Sequence, residues 1–410
     1  MQRLLELNFV KIEYGLTYCG GFGIIIKVSS KEIVMTKVLN ILTDTNVGGA
    51  GRIFLQYLKC IDRTRFDIYT AVPSGSKLIP LINELGFDVI ETEHGHDRTY
   101  EKGAVGEYKR IIRDVKPDIV HTHSSFSGKI AAYLCGVKSR IYTRHSAFEM
   151  TGKLTKFPFK QVNGFIDNRL ATEIIAVCKA AAENLIVTGV SEKKITVILN
   201  GVEPVRELSE AERADFRRSV GIAEDEFVGL ISARLEDYKG HRFLVEAAKI
   251  IRDRMGDSCR LKIVFMGDGT ERKNLEKQTR ELGVEDMIIF TGFVSDIAPW
   301  CNIMDLTLNA SLAEAASLAL CEGMSLRKPS LVSDFGGNPE MITDGENGLI
   351  VPTKDSAAIA DAIMKIMESS ELYDKLSRGA IDRYHKDFTS QVMTDRVMAL
   401  YDKSVARWKK

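Results

Sequence analysis

A chain of 410 residues is too long for one ordinary compact core; it fits two domains of about 170–200 residues each, with a cleft between them. Apolar residues at 45% and charged residues at 27% give the mix of a water-soluble globular protein and exclude a disordered chain, and no apolar run approaches the ~20 residues that a membrane helix needs. Lys plus Arg (56) balances Asp plus Glu (56), so no net field selects nucleic acid, which is not expected as a partner, and contact with an anionic membrane has to come from a local patch.

The seven cysteines are odd in number and widely spaced, and none forms a Cys-x-x-Cys pair, which predicts a reducing, cytoplasmic setting without structural zinc. Residues 1–34 precede the first clean strand and hold only a short apolar piece, Phe22 to Val28, too short for a cleaved secretory signal. Met35 is the expected true start, because Lys31-Glu32 is compatible with a purine-rich ribosome-binding sequence just upstream of it.

From Lys37 onward, short β-branched runs alternate with helical stretches: Val38 to Thr43, Phe66 to Val72, Asp118 to His123, Arg140 to Arg144 and Ile174 to Cys178. Residues 203–225 then lose the strand pattern and become charged, which places a hinge near Glu203 to Glu207. A second series follows: Phe227 to Ser232, Leu261 to Met266, Met287 to Thr291, Leu306 to Asn309, Ser330 to Ser333 and Leu349 to Val351. Two doubly wound α/β domains are predicted, residues 35–205 and 206–385, with residues 386–410 as a C-terminal helix packing back on the first domain. Ligands in open α/β sheets bind beyond the carboxyl ends of the strands, so two such edges facing each other would enclose a substrate.

Three loops after strands carry the candidate chemistry. Asp44-Thr45-Asn46-Val47-Gly48-Gly49-Ala50-Gly51-Arg52 ends the first strand, and its glycines let backbone N–H groups approach an anion at a helix start, with a plain tight turn as the alternative. The loop is neither Gly-x-Gly-x-x-Gly nor a Walker loop, which argues against hydride transfer and nucleoside-triphosphate hydrolysis. Arg234 and Lys239, five residues apart in Ser232-Ala233-Arg234-Leu235-Glu236-Asp237-Tyr238-Lys239-Gly240, pair a planar fork with a point charge, suited to a diphosphate; a solvated loop is the alternative. In Ser311 to Gly323, Glu314 and Glu322 flank a helix start expected near Ser317, with Glu314 in the loop before it and Glu322 two turns inside. The first can reach a sugar and the second a ribose diol, while free N–H groups at the helix start face a phosphate. His145 ends a strand, whereas His121 and His123 are expected on opposite faces of theirs, one in the core and one at the cleft.

The Glu-x7-Glu pair, the Arg-x4-Lys-Gly segment and Gly336-Gly337-Asn338-Pro339-Glu340-Met341-Ile342-Thr343-Asp344-Gly345-Glu346-Asn347-Gly348-Leu349 occur with Asp118 to His123, Asn200-Gly201-Val202 and Gly267-Asp268-Gly269. From about Lys37 to the end the chain resembles the family-four retaining glycosyltransferases of GT-B fold, two Rossmann-like domains facing across a cleft. The resemblance implies that Arg234 and Lys239 neutralise the donor diphosphate, Glu322 holds the ribose, Glu314 addresses the transferred sugar, and His145 faces the reacting centre. It also implies that backbone near Phe293 and Val294 receives the base and that Ala316, Ser317 and Leu318 line the donor. Gly48 and Gly49 would shape the sugar and acceptor side, with Asn46 and Arg52 meeting the acceptor. Ala315-Ala316-Ser317 departs from the Gly-Phe-Gly usual in the family, which bears on the choice of sugar and on activity.

No Asp-x-Asp occurs, so metal-independent transfer without a resident cofactor is expected, the nucleotide-sugar, most commonly a UDP-sugar, being the substrate. The expected acceptor is a cell-surface polysaccharide or glycolipid. Lys153, Lys156 and Lys160 interleave with Leu154, Phe157 and Phe159, which fits docking on an anionic membrane surface or, equally, an amphipathic loop lying over the core. A nucleotide-sugar epimerase and a non-catalytic nucleotide-sugar-binding protein are the alternative readings.

Overall fold

The computed structural model describes residues 35–147 and 152–408, the side chains of Lys153 and Asp257 excepted. The expected start at Met35 concerns residues 1–34, which lie outside the described residues.

Seven strands, β1 (Thr36–Leu42), β2 (Phe66–Pro73), β3 (Val89–Thr92), β4 (Ile119–His123), β5 (Ser139–Arg144), β6 (Glu173–Ala176) and β7 (Ile195–Val197), form one parallel sheet in the order β3-β2-β1-β4-β5-β6-β7. Six more, β8 (Phe227–Ser232), β9 (Leu261–Met266), β10 (Ile288–Gly292), β11 (Leu306–Asn309), β12 (Ser330–Ser333) and β13 (Gly348–Val351), form a second in the order β10-β9-β8-β11-β12-β13. Every pairing is parallel, with helices in the connections, so the central strands are covered on both faces and read as largely apolar runs, as in Ile-Val-Phe-Met of β9. Strand order reverses between β1 and β4 and again between β8 and β11, the two places where a doubly wound sheet opens a crevice at its carboxyl edge.

The strands β8, β9, β11 and β12 begin and end at the predicted residues. The sequence pattern missed β3 and β7, which are short outer strands of the first sheet, each paired on one side only. Outer strands of three or four residues carry too few apolar positions to stand out. The charged stretch after Glu203 also holds a helix, Glu210–Ser219, started by a reciprocal capping box between Ser209 and Glu212.

Each sheet has its own core, but the polypeptide crosses between the two domains twice. Outbound, it leaves β7 through Val202; inbound, it returns through a π-helical turn, Tyr384–Phe388, into the helix Ser390–Ala406. Val202 stitches the crossings together: its N–H donates to the Phe388 carbonyl at 2.9 Å, and its carbonyl accepts from Ser390 N–H at 3.1 Å and from the Tyr384 hydroxyl at 2.9 Å. Arg383 and Arg396 both hold the Asp387 carboxylate at 2.8 Å, fixing the bend. The returning helix belongs to the first domain's core. Its Met393, Val397, Met398, Leu400 and Tyr401 pack with Tyr57, Leu58 and Phe66.

Tyr401 is fully buried, its ring edge-on to Phe66 and its hydroxyl 2.7 Å from His121 Nδ1. A Tyr401→Ala substitution is therefore expected to lower unfolding free energy on the order of 3–5 kcal/mol, the range for emptying a large aromatic site. Urea unfolding checks this, and an unchanged midpoint would show that the returning helix is dispensable for the first domain.

Candidate active site

The two carboxyl edges enclose a cleft of about 710 Å³. Its first-domain wall is the loop after β1, the helix Gly49–Cys60 and the end of β5; its second-domain wall is the loops after β8, β10 and β11 and the helix Leu318–Ser325. Gly48, Gly49, Arg52, His145, Arg234, Lys239, Phe293, Val294, Glu314, Ala316, Ser317, Leu318 and Glu322 all line it. Asn46, expected on the acceptor side, does not: it is exposed, and its side-chain amide donates to Thr45 Oγ1 at 3.3 Å. Along this loop the cleft lining begins at Val47.

On the second-domain wall the charges are already arranged. Lys239 Nζ lies 2.7 Å from Glu314 Oε2, an oxygen that also accepts from Asn309 and Ser311 at 3.5 and 3.4 Å, while Oε1 accepts the Ala315 N–H at 3.2 Å. Arg234 donates to the Tyr238 hydroxyl at 2.8 Å, which holds its guanidinium along the same loop. The Gly336-Gly337 pair works from behind: Gly337 N–H donates to the Glu314 carbonyl at 3.1 Å, and a Cβ on Gly337 would collide with the Ala315 carbonyl oxygen. Only glycine lets the two loops approach closely enough to fix Glu314.

The helix starts at Leu318 after Ser317, whose side chain takes up no backbone N–H, so first-turn donors stay available to an anion. Glu322 is its fifth residue, one turn nearer the start than expected. At Gly48 and Gly49 an added Cβ would meet no atom within 4 Å. Packing does not demand glycine there; close approach of a ligand to the backbone would. Phe293 stands 83% exposed at the cleft edge, the largest apolar exposure among the described residues.

Sequence reasoning missed Asn309, Ser311 and Tyr238 as supports of the charged groups. The available signal for Asn309 was an amide side chain closing the short buried strand Leu-Thr-Leu-Asn. It also missed Glu340 of the second domain, whose carboxylate accepts from Lys179 and Ala180 N–H at the start of the first-domain helix Lys179–Val187. Among the described residues, no group of three or more His, Cys, Asp or Glu side chains stands close enough to hold a metal ion.

Arg52 spans the cleft. Its guanidinium pairs with the carboxylate of Glu322, whose side chain is only 3% exposed. A carboxylate that deep needs compensation, and it comes from the other domain. Arg52→Ala is expected to destabilise by about 1–3 kcal/mol, less than a fully buried pair because Arg52 is itself partly solvated. Adding Glu322→Gln should recover part of that loss; a double-mutant cycle with no coupling would remove the pair from the account.

The histidines correct an expectation. His121 and His123 share one face of β4, their rings 4.3 Å apart, because residues two apart on a strand point the same way. His121 is tied to Tyr401 at 2.7 Å and Thr143 at 2.6 Å, and His123 Nδ1 lies 3.1 Å from His145 Nε2. That last bond fixes the ring of the cleft-lining histidine from behind. Burial lowers all three: His121 to about 3, His145 to about 4, and His123 well below its ordinary 6.5, the neighbouring imidazoles adding to the effect at His121 and His123. At neutral pH His145 is an uncharged imidazole. Below about 6.5 the unfolded chain binds more protons at these sites than the native one, so their contribution is intact above that pH and is lost as pH falls toward about 4. The melting temperature should fall across that window, and less steeply in His123→Gln, as a pH series of thermal melts would show.

Two family models match the chain in succession: Glycosyltransferase Family 4 over residues 47–206 and Glycosyl transferases group 1 over residues 212–383. The chain belongs to the group 1 glycosyltransferases. This glycosyltransferase is 25% identical over 367 residues to the UDP-Gal:alpha-D-GlcNAc-diphosphoundecaprenol alpha-1,3-galactosyltransferase of Escherichia coli, covering 87% of this chain and 94% of that one. It is 27% identical to a Bacillus subtilis protein described as a glycosyltransferase, EpsD, over 85% of this chain and 93% of that one. Its fold matches Anabaena Alr3699/HepE, solved in complex with UDP, with a TM-score of 0.77 at 20% identity, covering 90% of this chain and all of that one. The architecture is GT-B, as expected from the sequence.

Proposed function

We propose that the chain transfers a sugar from a UDP-sugar to a lipid-linked or polysaccharide acceptor in the cytoplasm, with retention at the anomeric carbon and with neither metal nor resident cofactor. The observation that carries this reading is the convergence of Arg234, Lys239 and the Leu318 helix start on one cleft that also holds Glu314 and Glu322. Departure of a nucleoside diphosphate builds negative charge on its β-phosphate. Two cations and a row of backbone donors fixed beforehand stabilise that charge without solvent reorganisation. The named activity of the Escherichia coli relative, a UDP-galactose transfer onto a diphosphoundecaprenol-linked sugar, and the Anabaena structure with UDP-glucose support the donor and acceptor classes.

In this reading Glu322 receives the ribose diol. Arg52, the partner of that carboxylate, gives way to the hydroxyls and is freed toward the acceptor side. Glu314 orients the sugar, its charge balanced by Lys239. The bond from the anomeric carbon to the β-phosphate oxygen breaks, the acceptor oxygen bonds to the same face, and the acceptor's proton passes to the departing phosphate. His145, neutral and held by His123, offers a hydrogen bond at that centre without adding charge.

Arg234→Ala and Lys239→Ala are each expected to lower kcat about 10²–10³-fold, the cost of losing one charge-stabilising donor. UDP-sugar hydrolysis and transfer to an undecaprenyl-diphosphate sugar, assayed with and without a chelator, measure this. Conversion of the donor with no acceptor present would favour an epimerase, and UDP binding without turnover a sensor. Loss of activity in chelator would overturn the metal-free reading.

A further inference from the structure

The helix Phe159–Leu170 is built inside out. Its packed side is made by Gly164, on which a Cβ would run into the Gly189 backbone, with Asn163 and Asn168 donating to the Thr188 and Gly189 carbonyls at 3.0 and 3.1 Å. The large apolar side chains face water instead. Val162 is 55% and Phe165 71% exposed, in one stripe at three-residue spacing with exposed Phe159, and Phe157 in the preceding turn reaches 81%. Surface helices ordinarily turn that stripe inward, and a contiguous apolar exposure marks an interaction site. The alternative of an amphipathic loop lying over the core therefore fails.

We infer that this ridge docks the protein on an anionic lipid bilayer. Between residues 152 and 170 the charges are Lys153, Lys156, Lys160, Arg169 and a single acid, Asp167. That acid is engaged by the buried Lys129 at 2.5 Å, leaving the segment locally basic on a chain of zero net charge. Lysines interleaved with aromatic rings suit a lipid interface: the rings enter the boundary of headgroups and acyl chains while the ammonium groups meet phosphates. The centre of a protein interface is, by contrast, depleted of lysine. The segment also follows β5 in the chain, whose end supplies His145 and Ala147 to the cleft wall, so docking would hold the cleft near the membrane plane. The inference goes beyond the transfer reaction and rests on that reading only for what docking serves, access to a lipid-linked acceptor.

Flotation of the full chain with vesicles of phosphatidylcholine, or of an equal mixture of phosphatidylcholine and phosphatidylglycerol, tests it. The parent is expected to float with the anionic vesicles only, and less as salt is raised. Phe157→Ser with Phe165→Ser should reduce the bound fraction about tenfold or more at unchanged melting temperature. Lys156→Ala with Lys160→Ala should remove the salt-sensitive part. UDP binding should persist in all variants, because none of these residues lines the cleft. Its absence from parent and variants alike would count against the donor reading and leave the docking result standing. A parent that does not float, or serine variants that float equally well, would overturn the inference. So would sedimentation showing a dimer that the serine variants dissociate, which assigns the ridge to a second copy.

Discussion

Charge compensation of two largely buried carboxylates is the constraint on which this arrangement turns. Glu314 and Glu322 are both largely buried, and each is met by a cation, Lys239 from its own domain and Arg52 from the other. The second pairing makes the apposition of the domains part of the electrostatics of the site. Glu340 at the start of the helix Lys179–Val187 repeats the device at a distance, with a second-domain carboxylate satisfying first-domain N–H groups. Polar contacts thus work beside apolar ones between the domains, where Leu318 packs on the first-domain core and Ala315 on the cluster around Ala176 and Cys178.

The returning C-terminal helix connects this edge to the rest of the molecule. Tyr401 reaches His121, the His121 ring lies tilted against that of His123, and His123 bonds His145 at the cleft wall. The three imidazoles remain neutral because burial disfavours the charged form, and a neutral ring held by a neutral ring keeps a fixed orientation at low cost in charge. A helix remote in sequence therefore takes part in positioning a side chain at the cleft wall.

The sequence by itself determined the two alternating series of strands and the charged residues after them. β-branched runs of four to six residues between helical stretches admit little besides parallel β-α-β units, and the carboxyl edges of such sheets are where loops carry ligand groups. Arg234, Lys239 and Glu314 were legible as candidates because they lie in loops just beyond strands, and Glu322 because it lies early in the helix that follows. Their motif spacing then matched a known pattern.

Only the tertiary structure decided the rest. The partner of Glu322 lies 270 residues away, so no local pattern announces it. Asn46 and Arg52 belong to one loop and helix start, but only Arg52 lines the cleft. The outer strands β3 and β7 were hidden because a short strand paired on one side carries little apolar signal. The direction of the helix Phe159–Leu170 was set by Gly164, whose missing side chain lets backbone pack on backbone and leaves the aromatic stripe outside. Periodicity marks which residues share a face; which face is buried depends on what the rest of the fold brings against it.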